Sequence, residues 1–267
     1  MMENIPPPAT PPLTTEVTAG PPPEKRIWGP WATAGFGAVV LFVFFAVMVF
    51  VIVVISVVLA LQGPEPFTDT EAFMDLITDH LGLMISVAGI ASSIVGTAAI
   101  LAVIKVRKGA SIVEYLGLKR VGWRTLLLLL LLTGVYVVLV AGIAYVTRIP
   151  DTDTGLLVDA YETSVWPALF WISVVVFAPV FEEPFVRGFL FEGFRNSRMG
   201  LAGAVILTSL VWTALHVGYG LYSLGAIFIF GIILGLVRYK TGSLWSTVLM
   251  HAFYNAIGMT VIALSAA

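Results

Sequence analysis

Two adjacent carboxylates, Glu182 and Glu183, stand with Arg187 inside an apolar run. His216, His251 and Asn255 are the other reactive polar residues within apolar stretches. These residue types suit hydrolysis by activated water: a Glu base accepts the proton and a His orients the nucleophile. A second His/Asn pair can donate hydrogen bonds to a developing oxyanion. Glu182, His216 and His251 can equally hold a divalent metal such as zinc with an open position. Glu183 and Arg187 share a helix face at i,i+4 and can form an ion pair, whereas Glu182 is turned by about 100° from Glu183. His251 and Asn255 also share a face.

Several known chemistries are excluded. The chain has no cysteine, which removes thiolate nucleophiles, disulfides and Cys-based metal sites together. It has no His-Glu-x-x-His, Gly-x-Ser-x-Gly or P-loop pattern. No Asp falls within an apolar run, which argues against a membrane aspartyl protease.

The elements that must carry these side chains are membrane helices. With 59% hydrophobic and 11% charged residues and a mean hydropathy of +0.99, the chain cannot cover a water-exposed surface. Apolar runs of bilayer-spanning length recur, predicting an all-α, polytopic transmembrane bundle. About seven helices are expected, near 32–61, 83–104, 125–147, 165–194, 201–217, 221–239 and 243–265. Pro179 and Pro184 can kink the fourth or split it, which would make eight. The first is longer than the bilayer needs, predicting tilt or projection from the surface. Thr68-Asp69-Thr70-Glu71 and Ser111-Ile112-Val113-Glu114 have capping-box spacing and mark helix starts in the connections. Three regions result: a Pro-rich tail at 1–30, disordered by composition; amino-terminal helices at 31–109; and a core at 110–267.

Charge orients the bundle. Lys25 and Arg26, the run from Lys105 to Arg124, Arg195 with Arg198, and Arg238 with Lys240 occupy alternate connections. The intervening connections are acidic, with Arg148 their only basic residue. The positive-inside rule then places the amino terminus in the cytoplasm. At 1.5 Å rise per residue, Glu182 and Asn255 lie roughly 18 Å deep, His216 roughly 24 Å and His251 roughly 12 Å, so one pocket can hold all four. A charged side chain at this depth costs roughly 2.5–3.5 kcal/mol, so a purely structural role for the Glu-Glu/Arg cluster is disfavoured. His216 alone would more often be helix–helix glue. Glu192 and Arg195 are expected to snorkel, His80 to be structural or solvated, and Gly225, Gly231 and Gly235 to pack helices.

Glu182-Glu183-x-x-x-Arg187-Gly188, an aromatic ahead of His216, and His251-x-x-x-Asn255 resemble the CPBP family. That family groups type II CAAX prenyl endopeptidases with bacterial bacteriocin-processing and self-immunity membrane proteases. Ala178-Pro179-Val180-Phe181, Thr241-Gly242-Ser243-Leu244-Trp245 and, weakly, Glu114-Tyr115-Leu116-Gly117-Leu118-Lys119-Arg120 add to the resemblance, which covers about residues 110–260. It implies an intramembrane endopeptidase in which Glu182, assisted by His216, activates water. His251 and Asn255 would form the oxyanion site, and Glu183 and Arg187 would pair to hold the cluster. It leaves open a metal-dependent or a metal-free route. The implied substrate is a membrane-embedded or lipid-anchored peptide, of the prenylated CAAX type or not, cleaved from the cytoplasmic side of a bacterial inner membrane. The partners expected are that substrate and the lipid bilayer, with no nucleic acid. Two departures, Trp212 and Val186 where the family usually has Phe, are expected to alter packing rather than reacting groups.

Two other classes compete. A non-catalytic scaffold or bacteriocin self-immunity protein would tolerate loss of Glu182 and His251. An ion or proton transporter can use buried carboxylates, but the sequence shows no inverted repeat of broken helices.

Overall fold

The computed structural model describes residues 26–62, 70–149 and 155–266, the side chains of 155 and 156 excepted. Most of the Pro-rich tail, and Thr68 and Asp69 of the first capping motif, lie outside the described residues. The described chain is a helical bundle without strands. Its helices are α1 (Pro30–Gln62), α2 (Thr70–Asp79), α3 (Leu81–Val106), α4 (Ile112–Leu116), α5 (Trp123–Thr147) and α6 (Gly155–Glu162). They continue with α7 (Pro167–Arg195), α8 (Gly200–Ala214), α9 (Leu221–Thr241) and α10 (Leu244–Ser265). Six of these, α1, α3, α5, α7, α9 and α10, are long and apolar enough to cross a membrane. The protein is an integral, multi-pass membrane protein.

Helix α7 runs through the middle and packs against α1, α3, α4, α8, α9 and α10. Every residue from Glu183 to Phe194 is buried, so this segment has neighbours on all sides. The two prolines do not split it. Instead, Ser173–Phe177 and Pro184–Leu190 are wound as π-helical stretches, and the helix passes unbroken through both prolines. In the first stretch Ala178 N–H bonds the carbonyl of Ser173, five residues back. Pro179, next in that register, has no N–H to give to Val174 O. Asn255 on α10 supplies the donor, Nδ2 to Val174 O at 2.9 Å. The carbonyl that Pro184 would leave unpaired in α-register, Val180 O, accepts from the Thr97 hydroxyl of α3 at 3.4 Å. Neighbouring helices thus satisfy the backbone groups the prolines release, as a chain without water at hand requires.

Helix α8 ends at Ala214, earlier than the apolar pattern predicts. Its 15 residues rise about 22 Å at the α-helical pitch, short of the roughly 30 Å hydrocarbon core. In the turn beyond, Leu215 N bonds Trp212 O at 3.2 Å, and His216 Nδ1 approaches the same carbonyl at 2.8 Å.

The short helix α4 starts as its sequence predicts, with the Ser111 hydroxyl accepting from Glu114 N at 3.4 Å. It stops at Gly117, whose φ of +66° is the left-handed geometry glycine tolerates. A Cβ there would also sit 2.6 Å from Arg238 Nη2. Gly231 and Gly235 bring α9 close to α8: an added Cβ would meet Ser209 at 3.0 Å and Val205 at 3.3 Å respectively. Gly225, expected to pack likewise, faces open space.

Candidate active site

Glu183 and Arg187 meet on α7 as expected, with Arg187 Nη1 donating to Glu183 Oε1 at 3.0 Å. Both side chains are fully buried. Arg187 Nη2 donates to Gly231 O of α9 at 3.3 Å, and the guanidinium lies over the Trp212 ring of α8, 4.3 Å from its centroid. Glu183 Oε1 also lies 3.0 Å from Nδ1 of His251 on α10. One ion pair therefore ties α7 to α8, α9 and α10. A carboxylate on Nδ1 fixes the imidazole's orientation and presents Nε2 to the other side.

That Nε2 is 4.0 Å from Glu182 Oε2. Glu182 differs from its neighbour in being one-fifth exposed, as the rotation between adjacent helical positions predicts. Its Oε2 accepts a 2.5 Å hydrogen bond from Trp212 Nε1. Trp212 is the common neighbour of the set, its ring standing edge-on to both His216 and His251 at 5.1 Å in each case. His216 Nδ1 faces a backbone carbonyl, which only accepts, so Nδ1 is the donor, and a neutral ring would carry its lone pair on Nε2. In the turn between α8 and α9, burial first and the Glu182 carboxylate second push the Tyr219 phenol up to about 12, so it keeps its proton.

The structure thus brings Glu182, Glu183, Arg187 and His251 into one cluster, with His216 in contact with the Trp212 ring. Asn255 instead turns to the carbonyl of Val174. Among the described residues no three His, Asp or Glu side chains are grouped closely enough to hold a metal ion. Glu182, His216 and His251 therefore do not converge as a three-ligand set in this arrangement.

Two residues escaped the sequence reading. Trp212 was expected only to pack, yet it donates to Glu182. Its position, four residues before His216 on the same face, was the available signal. Arg238 reads as a loop charge but is buried, donating to Glu192 Oε1 (3.0 Å), Leu116 O (3.1 Å) and Arg187 O (3.1 Å). Glu192 does not snorkel either. It is buried and paired with both Arg238 and Arg195, because Arg238 offers it a partner inside. His80 keeps a local role, with Nδ1 2.9 Å from Leu76 O.

Residues 164–257 match the family model described as type II CAAX prenyl endopeptidase Rce1-like. This segment resembles an Rce1-like endopeptidase domain. The Rce1-like match holds all six candidate residues and the helices α7 to α10 that carry them, apart from the carboxyl-terminal end of α10. Helices α1 to α6 lie outside it. Searches of curated proteins and of solved structures returned no match. The Rce1-like match supports a membrane-embedded endopeptidase in general terms.

Proposed function

We propose that the protein hydrolyses a peptide bond in a membrane-embedded or lipid-anchored substrate, reached from the cytoplasmic face of a bacterial cell membrane. The observation that carries the reading is the Glu182 carboxylate, partly exposed and set against His251 Nε2 at 4.0 Å, within a segment that matches CAAX prenyl endopeptidases. A prenylated carboxyl-terminal peptide is the substrate class that match favours.

In the proposed reaction Glu182 takes one proton from water as the water oxygen adds to the scissile carbonyl carbon. Neutral His216, with its lone pair on Nε2, orients that water. The carbonyl oxygen becomes an oxyanion, for which His251 Nε2 is the nearest ring donor when the imidazole is doubly protonated. Asn255 spends one amide hydrogen on Val174 O, which leaves its second N–H for the oxyanion. Collapse breaks the C–N bond, and the proton held by Glu182 passes to the leaving amine. Glu183 and Arg187 hold His251 and stay outside the proton path.

The test uses the purified full chain with a farnesylated CAAX peptide and an unmodified membrane peptide, with and without chelator. Glu182→Gln is expected to lower turnover on the order of 10²–10⁴-fold, the usual worth of a general base. Full turnover by Glu182→Ala would sink the assignment and favour the non-catalytic scaffold. Loss of activity on chelation, restored by zinc, would establish the metal-dependent route, and chelator resistance the metal-free one.

A further inference from the structure

We infer that Trp212 is a positioning residue for the reaction, selecting which oxygen of Glu182 receives the proton. The inference rests on the role proposed for Glu182 above. An indole Nε1–H is a donor and never an acceptor, so the 2.5 Å contact commits Glu182 Oε2 to accepting. Oε2 has one of its two lone-pair sites taken by the indole, whereas Oε1 keeps both open to water. The bond also fixes the carboxylate torsion, which an unbranched glutamate side chain would otherwise sample freely.

Three further contacts make the indole a rigid reference rather than a passing neighbour. Trp212 is buried, with 2% of its surface exposed. The Arg187 guanidinium lies over its face, 4.3 Å from the centroid, attracted by the ring's negative face. Both imidazoles stand edge-on to it at 77°. The carboxylate that would act and the two histidines that would assist are therefore placed by one bicyclic ring. Phenylalanine could provide the packing but no donor. At this position the side chain therefore sets the geometry of a reacting group.

The test compares Trp212→Phe with a protein carrying 3-benzothienylalanine at position 212, which keeps the bicyclic shape and replaces N–H by sulfur. Both are expected to lose kcat on the order of 10–100-fold, as for misplacement of a reacting group, with KM within about twofold. The benzothienyl protein should melt like wild type, separating positioning from folding. Ultraviolet resonance Raman difference spectra, wild type minus Trp212→Phe, should isolate a strongly hydrogen-bonded indole, and that signature should weaken in Glu182→Ala. Wild-type kcat in the benzothienyl protein, or an unchanged indole signature in Glu182→Ala, overturns the inference. The Raman arm needs no substrate. Absence of wild-type turnover would therefore count against the peptidase reading alone, while the spectra still decide whether Trp212 holds Glu182.

Discussion

Glu182 and Glu183 are chemically identical, and their difference in environment comes from one step of helix rotation. Glu183 is fully buried and committed to Arg187 and His251. Removing its charge takes away the carboxylate that Arg187 bonds directly and leaves it with the Glu182 charge nearby. Breaking a buried pair typically costs about 3–5 kcal/mol. Glu183→Gln should therefore lower the unfolding free energy in detergent by about that amount. The double variant Glu183→Gln/Arg187→Met should recover most of the loss, since an uncharged pair carries no such penalty. Failure of the double variant to recover would mean that the carboxylate matters through His251 instead. The i,i+4 pairing was legible in the sequence because helical spacing alone dictates it. The assignment of His251 Nδ1 to Glu183 was not, because it depends on how α10 docks against α7.

At the scale of elements, α7 carries prolines at positions that would break an isolated helix, and it survives by changing register. The cost moves to a neighbour: Asn255 donates to the carbonyl that Pro179 cannot reach. Asn255→Ala should then destabilise the fold by about 1 kcal/mol, the low end of the penalty for leaving a carbonyl unpaired, since this one is only partly buried. Adding Pro179→Ala restores a backbone N–H at the right place and should return most of that stability. Thermal unfolding of the single and double variants checks this, and no recovery would remove the backbone role. Activity separates the two duties: a double variant that is stable but slow would assign Asn255 to the oxyanion as well. Helix existence was readable from apolar length. The unbroken α7 was not, because side-chain partners from α3 and α10 decide it, and neither was the early end of α8.

Across the whole molecule, the basic and acidic connections alternate with the helices, and α3 separates the acidic α2 side from the basic segment before α5. The absence of native cysteine makes orientation directly measurable. Asp75→Cys and Lys108→Cys place single thiols on exposed residues beyond opposite ends of α3. With the amino terminus in the cytoplasm, an impermeant maleimide should label Asp75→Cys in intact cells, and Lys108→Cys only after lysis. The reverse pattern would invert the orientation. Buried charge also spans the bundle: Arg238 of α9 links α4 to α7 through Leu116, Glu192 and the Arg187 carbonyl, so the connector before α5 is fastened to the helix that bears the site.

By itself the sequence determined the class of the protein, the number of apolar helices and the residues with the means to catalyse hydrolysis. Each of these follows from composition, run length and helical periodicity, which are local properties of a chain. Only the tertiary structure decided which of those residues meet. It joined Glu183 to His251, turned Asn255 toward α7, drew Glu192 inward to Arg238 and set Trp212 against Glu182. Those outcomes depend on contacts between helices far apart in sequence, where spacing along the chain carries no information about distance.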